Sequence, residues 1–562
     1  MNTSSLIQNQ ALNSASLFEQ TLQNRAFQPL PIFQGDHGVQ ARRFSESPNH
    51  RFSVSDHKVK AAFPNLLSGD TVPVLTVKGP LSSVQGKRIA VLFSGGPAAG
   101  GHNVVAGIAH ALGDQNTLLG VKSGPKGLLN GDLAPLCADD IASVANMGGF
   151  DLLGSDRTKI KSEQQFEQVK SVVRDHQLDG IIIIGGDDSN TNAALIAEFL
   201  YDEQCSVIGV PKTIDGDLQI PDLLPISFGF DTATRIYSEL LGNILQDTPS
   251  SQKYWHFVKL MGRSASHVTL EVALQTCPPL VLISEEIAEK QWRLSDVVAH
   301  IANGIILRSQ QKMNYGVVLI PEGLIEFIPE FQALIANLNV ILDTHQDTLS
   351  QQEYEDNYRF ITAQLPSDLG DLLDSLPANI QRQLVLERDS HGNVQVSQIP
   401  TEALLIDMTQ DYLKANAPEV PFASNAHFFG YEGRCGAPSS FDAYYTYNLG
   451  LVAGSLVLDQ KTGYMAAIRH FDQVPEPLAI PLTGLITQEQ RGAATHLVIE
   501  KALVNLDSPA FQHLVKHRDH WCSQNAFKSP GPRQYWGPTA KQLPLTVALN
   551  QGYETYLFND GS

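Results

Sequence analysis

Acidic and basic side chains follow several short apolar runs of this sequence, at points where strands of a sheet are predicted to end. Asp187 and Asp188 come after four isoleucines and two glycines, and residues 211–217 read Pro-Lys-Thr-Ile-Asp-Gly-Asp. Adjacent carboxylates repel each other, so the pair requires a cation to offset its charge, either Mg²⁺ or the nearby Lys212. The alternatives without chemistry are a helix cap at either aspartate and a simple turn at Asp-Gly-Asp.

A carboxylate at a strand end can also take the proton of an attacking hydroxyl group, which contributes about 10²–10⁴-fold in rate. Asp215 and Asp217 are the candidates for this role. Lys212 beside them can neutralise negative charge on the group that is transferred. Residues 94–101 form a glycine-rich turn whose backbone N–H groups can approach a phosphate at a helix N-terminus. The turn matches neither the Walker A pattern nor G-x-G-x-x-G, so a plain tight connection remains the alternative. Together these residue types suit chemistry on a phosphate group.

The elements that must position these residues are predicted strands that alternate with helices. β-branched runs end in polar or glycine-rich turns and are followed by amphipathic stretches, a pattern typical of a parallel sheet covered by helices. Ligands of open α/β sheets bind at the carboxyl ends of such strands, which is where the polar clusters lie. The runs are residues 87–93, 181–184, 206–210, 255–260 and 315–320.

The pattern changes after the last of these strands. Residues 324–418 carry Leu, Gln and Asp spaced three and four apart, which predicts an inserted helical subdomain. Residues 427–434 then read His-Phe-Phe-Gly-Tyr-Glu-Gly-Arg, and a helix is predicted near residues 441–458, before hairpin structure. Residues 1–60 are rich in Gln, Asn, Ser and His and predict an arm or a peripheral helix without chemistry.

Composition limits the classes of function. The formal net charge is −20, from 39 basic and 59 acidic residues, and such a charge repels nucleic acid and anionic membranes. No stretch of about 18 uncharged apolar residues predicts a membrane span, and residues 1–20 lack the pattern of a secretory signal. The five cysteines are scattered without a C-x-x-C pair, so we expect reduced thiols in a cytoplasmic protein. Because the net charge is strongly negative, any anionic substrate must bind in a locally basic pocket.

Five motifs in a fixed order carry a resemblance to a known family. Over about residues 77–469 the chain resembles the long, pyrophosphate-dependent branch of the phosphofructokinase family. The resemblance implies an α/β fold of two Rossmann-like parallel-sheet lobes with a helical insertion. The motifs are residues 185–189 (Gly-Gly-Asp-Asp-Ser), 211–217, 261–263 (Met-Gly-Arg), 321–323 (Pro-Glu-Gly) and 431–434 (Tyr-Glu-Gly-Arg).

The resemblance implies a reaction and the residues that perform it. Members of this branch transfer a phosphoryl group, reversibly, from pyrophosphate to the 1-hydroxyl of fructose 6-phosphate in glycolysis and gluconeogenesis. The resemblance assigns Mg²⁺ to Asp187 and proton acceptance to Asp215, with Asp217 in the same catalytic motif. ATP-using members carry glycine at the positions of Asp188 and Lys212. A carboxylate at residue 188 repels the α-phosphate of a nucleotide, and the ammonium at residue 212 supplies charge to pyrophosphate.

Contacts to the two substrates are also implied by the resemblance. Gly96 and Arg157 are expected to contact pyrophosphate, although residues 156–159 read Asp-Arg-Thr-Lys where the family has Gly-Arg-Asp-Lys. Lys253 and Tyr254 are expected to reach the sugar phosphate of a partner subunit, which implies a homodimer with shared active sites. The remaining sugar-phosphate contacts are expected at Thr213, Met261, Gly262, Arg263, Glu322, Tyr431 and Arg434.

The predicted organisation assigns these residues to lobes, and alternative functions stay open. An ATP-dependent phosphofructokinase, a catalytically silent regulatory subunit that binds sugar phosphate, and another kinase with a Gly-Gly-Asp motif are the alternatives. The predicted segments are an arm at residues 1–65, a pyrophosphate- and Mg²⁺-binding lobe at 66–230 completed by segments after 435, a sugar-phosphate lobe at 231–323 and 419–434, the helical insertion at 324–418, and C-terminal helices and peripheral structure at 435–562.

Overall fold

The described chain is built on two larger β-sheets, one of 11 strands and one of four. The structure is a computed structural model, and it describes residues 27–36, 38–345, 349, 353–386, 399–491, 494–530 and 543–552. Within these ranges, no helix has the length and apolarity needed to cross a bilayer. The five cysteines are free thiols.

The strands are numbered in chain order. They are β1 (Gln34–Gly35), β2 (Gly38–Val39), β3 (Arg42–Ser53), β4 (Thr71–Pro80), β5 (Arg88–Ser94), β6 (Thr117–Val121), β7 (Leu133–Pro135), β8 (Ser155–Asp156), β9 (Gly180–Gly185), β10 (Ser206–Thr213), β11 (Phe228–Gly229), β12 (Trp255–Leu260), β13 (Leu280–Val281), β14 (Gly316–Pro321), β15 (Ser424–Phe429), β16 (Tyr464–Arg469), β17 (Glu476–Pro481), β18 (Ile486–Arg491) and β19 (Ala494–Ile499).

The helices are numbered in the same way. Short 3₁₀ helices lie at Pro31–Phe33, Tyr201–Glu203, Leu324–Phe327, Tyr431–Gly433 and Leu482–Gly484. The α-helices are α1 (His57–Ala62), α2 (Gly101–Leu112), α3 (Gly124–Asn130), α4 (Ala138–Ser143), α5 (Glu163–Asp175), α6 (Asp187–Phe199), α7 (Phe230–Ser251), α8 (His267–Thr276), α9 (Ser284–Glu289), α10 (Leu294–Gln310), α11 (Pro329–Thr344), α12 (Tyr354–Gln364), α13 (Ser367–Ser375), α14 (Ala378–Leu386), α15 (Thr401–Asn416), α16 (Ser440–Leu458), α17 (Pro509–Ser523) and α18 (Leu545–Asn550).

The large sheet has a parallel centre and antiparallel edges. Its order is β3-β4-β17-β16-β10-β9-β5-β6-β7, with β8 beside β5 and β11 beside β10. The strands from β16 to β6 pair in parallel, which confirms the predicted sheet type. In β9, Ile182 and Ile184 enter one apolar core and Ile181 and Ile183 enter another, so both faces of the sheet are buried.

The small sheet is parallel throughout, in the order β13-β14-β12-β15. Its core contains Trp255, Phe257, Val318 and Ile320, together with apolar residues of α10, α11 and α15. The described residues between 324 and 418 form helices α11 to α15, in agreement with the helical pattern. Their status as an insertion, and the lobe boundaries, stay predictions. We refer below to the large-sheet half and the small-sheet half of the fold.

One segment differs from its prediction. Residues 42–62 were expected within a separate arm, but Arg42–Ser53 is an edge strand of the large sheet and His57–Ala62 is a short helix. The strand pairs with Thr71–Pro80 in an antiparallel register. Phe44 and Val59 are buried, so the segment adds to the core despite its polar composition.

The parallel strands bring the predicted polar clusters to two shared edges. In the large sheet, Pro211 of β10 pairs with Gly185 of β9, so the residues that follow both strands lie side by side. In the small sheet, Leu260 of β12 pairs with Pro321 of β14 and with Phe429 of β15. Each edge therefore presents several motifs together. This agrees with the general rule that ligands of open α/β sheets bind at the carboxyl ends of the strands.

Candidate active site

The turn after β5 closely approaches a lysine and two arginines. Gly95 has a φ of +85°, which favours glycine, and a Cβ built on it would lie 3.7 Å from Lys212 Nζ. A Cβ on Gly96 would lie 2.1 Å from Arg434 Nη2 and 3.6 Å from Arg157 Nη2. A side chain at residue 96 would displace the guanidinium of Arg434, a group of the kind that binds phosphate in proteins. The structure thus brings these predicted residues together around one turn.

The two adjacent carboxylates begin helix α6, directly after β9. Asp188 Oδ1 accepts a hydrogen bond from Lys159 Nζ at 2.8 Å, and Asp187 Oδ2 lies 3.8 Å from Lys501 Nζ. Both aspartates keep contact with solvent, since their side chains are 21% and 46% exposed for residues 187 and 188. Two lysines outside the motif therefore offset the negative charge of these carboxylates, a role predicted for Lys212 or a metal ion.

Lys212 is a buried cation at the end of β10. Burial, together with a smaller effect of the charge of Arg434, lowers the pKa of its ammonium to about 8. The carboxylates of Asp215, Asp187 and Asp217 act in the opposite direction and raise that pKa. Lys212 is therefore positively charged at neutral pH in a site with little solvent, where a charge acts strongly on a bound anion.

The two carboxylates after β10 have different surroundings. The Asp215 N–H donates to Thr213 Oγ1 at 3.0 Å, and Gly216 follows with a φ of +74°. Asp217 is only 4% exposed, and burial together with the charge of Asp215 raises its pKa to about 7, against the opposing effect of Lys501. Asp215 is half-buried. A substrate hydroxyl can therefore reach Asp215 more readily than Asp217.

The edge of the small sheet carries most of the predicted sugar-phosphate residues, whereas Thr213 ends β10 of the large sheet. The Gly262 N–H donates to Glu322 Oε2, and the Met261 N–H donates to the Phe429 carbonyl oxygen, both at 2.9 Å. Burial raises the pKa of the Glu322 carboxyl group. Arg263 itself is exposed. The loop is therefore held by backbone hydrogen bonds, while its arginine remains available to a ligand.

The turn after β15 connects the two halves of the site. Tyr237 Oη donates to the Gly430 carbonyl oxygen at 2.5 Å and holds this turn against α7. The Arg434 guanidinium carbon lies 5.1 Å from the centre of the Tyr431 ring, which is 72% exposed. Arg434 also lies beside Gly96 of the large-sheet half, so the structure brings residues of both predicted sets together at this turn.

Lys253 and Tyr254 lie elsewhere on the chain. They precede β12, whereas Met261 follows it. Six residues of extended strand separate the two ends, a distance of about 20 Å at the usual rise per residue. Lys253 is exposed, and its Nζ lies 5.0 Å from the centre of the Tyr254 ring. The structure therefore does not bring this pair to the site of its own chain.

Three polar residues of the site were missed by the sequence reasoning: Lys159, Ser264 and Lys501. Lys501 Nζ donates to Ser264 Oγ at 2.7 Å and lies 3.7 Å from Asp217 Oδ2. Lys159 lies two residues after Arg157. It corresponds to the lysine of the family's Gly-Arg-Asp-Lys pattern, which could have identified it. Lys501 is isolated in the sequence, and no motif surrounds it.

The donor set around Asp187 fits Mg²⁺ that is bound together with phosphate. Among the residues that the structure describes, no group of three or more His, Cys, Asp or Glu side chains could hold a metal ion. Mg²⁺ usually takes one or two carboxylates, with waters and substrate phosphate oxygens as its other ligands. Asp187 meets this requirement, because its carboxylate is partly exposed and follows β9, which pairs in parallel with the strand before the glycine-rich turn.

Arg157 of the large-sheet half and Arg434 of the small-sheet half meet at Gly96, an arrangement that suits the binding of a phosphate group. The family described as Phosphofructokinase matches residues 88–457, and the chain belongs to this family. It is 46% identical to the pyrophosphate–fructose 6-phosphate 1-phosphotransferase of Treponema pallidum, with 83% of this chain and 84% of that protein covered.

Further relatives and a solved structure agree with the family. The corresponding protein of Entamoeba histolytica is 44% identical, with 83% of this chain and 87% of that protein covered. The subunit beta 1 of the Arabidopsis thaliana protein is 41% identical, with 96% of each chain covered. The crystal structure of a pyrophosphate-dependent phosphofructokinase from Marinobacter aquaeolei has a TM-score of 0.50 at 16% identity, with 80% of this chain and 96% of that chain covered. This last similarity supports the predicted fold.

Proposed function

We propose that this protein transfers a phosphoryl group from pyrophosphate to the 1-hydroxyl of fructose 6-phosphate, giving fructose 1,6-bisphosphate and phosphate. The observation that carries the proposal is the convergence of Lys212, Arg157 and Arg434 on the turn at Gly95 and Gly96. Relatives that are 40–46% identical over most of the chain bear the name of this activity.

The residues of the large-sheet half act on the donor. Phosphoryl transfer requires in-line positioning and neutralised oxygens rather than covalent chemistry by the protein. Arg157 binds oxygens of pyrophosphate at the glycine-rich turn, where the neighbouring guanidinium of Arg434 adds positive charge. The buried ammonium of Lys212 stabilises the charge that develops on the leaving phosphate. Mg²⁺, held by Asp187, supplies further neutralisation of the phosphate oxygens when it is bound.

The residues of the small-sheet half bind the sugar phosphate. Arg263 and Arg434 bind its 6-phosphate, and Glu322 accepts hydrogen bonds from sugar hydroxyls. Asp215 takes the proton of the 1-hydroxyl as that oxygen attacks the donor. The proposed contacts also include the neighbouring side chains and backbone groups of Thr213, Met261, Gly262 and Tyr431.

A coupled assay of fructose 1,6-bisphosphate formation tests this function directly. We expect the protein to form fructose 1,6-bisphosphate with pyrophosphate and Mg²⁺, and to form none with ATP. A chelator should abolish the activity, and added Mg²⁺ should restore it. Turnover with ATP alone would establish an ATP-dependent enzyme of the same family, and binding of fructose 6-phosphate without turnover would establish a silent subunit.

Replacing Asp188 by glycine should weaken the use of pyrophosphate and admit ATP. The change removes the carboxylate that accepts a 2.8 Å hydrogen bond from Lys159, so this cation loses its position two residues after Arg157. We expect kcat/KM for pyrophosphate to fall about 10²-fold, the usual cost of misplacing a reacting group. Loss of the like charge should let ATP bind with an affinity measurable by titration calorimetry.

The variant Asp188→Asn is the matched control for this change. It keeps the size of the side chain and removes only its charge, so a gain of ATP binding in both variants would assign the exclusion of ATP to charge. A gain in the glycine variant alone would assign it to size. Unchanged pyrophosphate kinetics together with absent ATP binding in Asp188→Gly would contradict the donor assignment.

Lys253 and Tyr254 act in the active site of a partner subunit of a homodimer. Their position at the amino end of β12 supports this proposal, because they cannot reach the residues after that strand in their own chain. Mixing Lys253→Ala and Asp215→Ala chains should therefore restore activity. Random association makes half of the dimers mixed, and one of their two sites carries both intact residues, so about one quarter of the wild-type activity is expected.

This complementation is measured after the two inactive variants are unfolded, mixed and refolded together. Each variant refolded alone provides the control and should stay below about one hundredth of the wild-type rate, in line with the loss of a substrate contact or a base. A mixture without recovered activity would contradict shared sites.

A cytoplasmic location also stays a prediction, supported by the free cysteines.

A further inference from the structure

Lys501 lies between the donor and acceptor parts of the site, although no motif includes it. Its Nζ donates to Ser264 Oγ at 2.7 Å, and Ser264 directly follows Arg263 of the small-sheet half. The same atom lies 3.8 Å from Asp187 Oδ2 and 3.7 Å from Asp217 Oδ2, which belong to the large-sheet half. The ammonium group therefore contacts both sides across which a phosphoryl group has to pass.

A short segment holds this lysine in place, and we call residues 501–504 the strap. The Ala502 N–H donates to the Asp217 carbonyl oxygen at 2.7 Å, which ties the strap to the large-sheet half. The Val504 N–H donates to Glu285 Oε1 at 3.0 Å, which ties it to helix α9 of the small-sheet half. The backbone that carries Lys501 is thus bonded to both halves at once.

The ammonium of Lys501 retains hydrogen-bond donors for a ligand. An ammonium group has three N–H donors. Among the described residues, the bond to Ser264 is the one hydrogen bond that Lys501 Nζ makes. The distances of 3.7 and 3.8 Å to Asp217 and Asp187 exceed the ordinary length of a charge-assisted hydrogen bond. The side chain is 36% exposed, so oxygen atoms of a ligand can reach it.

We propose that Lys501 binds the phosphoryl group in transfer between pyrophosphate and the sugar, an inference that rests on the proposed function. Without substrate, the carboxylates of Asp187 and Asp217 hold the ammonium in the cleft. When the donor is bound, Lys501 donates to oxygens of the transferred group, whose charge must be neutralised as the bond to the leaving phosphate breaks. Lys501 forms no covalent bond and transfers no proton.

Removal of the charge in Lys501→Gln should weaken the donor selectively. The Kd for methylenediphosphonate, a pyrophosphate analogue that cannot be cleaved, is measured by titration calorimetry with Mg²⁺. We expect it to rise about 10- to 100-fold, as for the loss of a hydrogen bond to a charged group. The Kd for fructose 6-phosphate should stay within about twofold, because its phosphate binds elsewhere, and Lys501→Arg should recover part of the analogue affinity.

Leu503→Ala is the control for the strap, since Leu503 is 53% exposed and leaves Lys501 untouched. It should keep the wild-type affinity for both ligands. An unchanged analogue Kd in Lys501→Gln would overturn the inference. Equal weakening of both ligands would also overturn it, because that result indicates a structural ion pair. Wild-type protein that binds no methylenediphosphonate would contradict the proposed function itself, and the inference with it.

A measurement on the wild-type protein decides the matter if Lys501→Gln does not fold. Lysines are labelled with an acetylating reagent and quantified by mass spectrometry, with and without methylenediphosphonate. The analogue should slow the labelling of Lys501 about tenfold and should not affect the exposed Lys516 on α17, since a hydrogen-bonded ammonium is removed from solvent. Equal labelling of Lys501 in both conditions would overturn the inference.

Discussion

Replacing Asp215 by asparagine is expected to lower kcat about 10³-fold, within the usual contribution of a general base. Asparagine keeps the shape of the side chain but cannot take the proton of the sugar hydroxyl. The turn that carries the residue is held by the bond between its own N–H and Thr213 Oγ1, which the substitution does not remove. Steady-state kinetics and calorimetry should therefore show lost turnover, with a Kd for fructose 6-phosphate within about twofold of wild type.

Asp217→Asn is the matched control, because the two aspartates are separated by one glycine in the same turn. Burial raises the pKa of Asp217 to about 7, so this carboxyl group is already partly protonated at neutral pH. We expect a smaller loss of kcat from this variant than from Asp215→Asn. A larger loss at residue 217 would assign the proton acceptor to Asp217 instead.

Replacing Lys212 by methionine is expected to lower kcat by about 10²–10³-fold, the typical effect of removing one group that stabilises transition-state charge. Methionine fills the buried space at the end of β10 without the ammonium, so a folded variant isolates the charge. Thermal unfolding checks the fold, and kinetics with pyrophosphate measure the loss. Full activity in Lys212→Met would contradict the role of this lysine.

The pH profile of the wild-type protein provides an independent measurement of the same charge. Burial lowers the pKa of Lys212 to about 8, so its ammonium is present below that pH and is lost as the pH rises through it. Plotted as kcat/KM for pyrophosphate, activity should fall above about pH 8, because this parameter reports the free enzyme. Lys212→Arg keeps its charge at higher pH and should shift this limb upward. If Lys212→Arg leaves the pH of this decrease unchanged, the decrease originates in the titration of another group.

The sequence predicted the centre of the fold well, because buried parallel strands have a strong local pattern. The runs at residues 181–184 and 206–210 became the strands Gly180–Gly185 and Ser206–Thr213. A strand with both faces buried is apolar along its length, and the turn residues that end it are also adjacent in sequence. For this reason, Asp187 and Lys212 could be assigned to a shared edge before the fold was known.

The edge of the large sheet shows where such local patterns fail. Arg42–Ser53 is mostly polar and partly exposed, so its sequence indicated an arm rather than a strand. Its conformation depends on pairing with Thr71–Pro80, a partner outside the segment itself. β-structure of this kind is decided by neighbours in space more than by intrinsic preference.

The sequence by itself determined the family, the motif residues and the type of chemistry, since these depend on short stretches of adjacent residues. Only the tertiary structure decided which cations face the carboxylates. Lys159 pairs with Asp188, and Lys501 reaches Asp187 from the C-terminal part of the chain. A single lysine has no local pattern that distinguishes a surface position from an active site. Its role depends on the packing that brings distant segments within a few ångströms, where Coulomb interactions become strong.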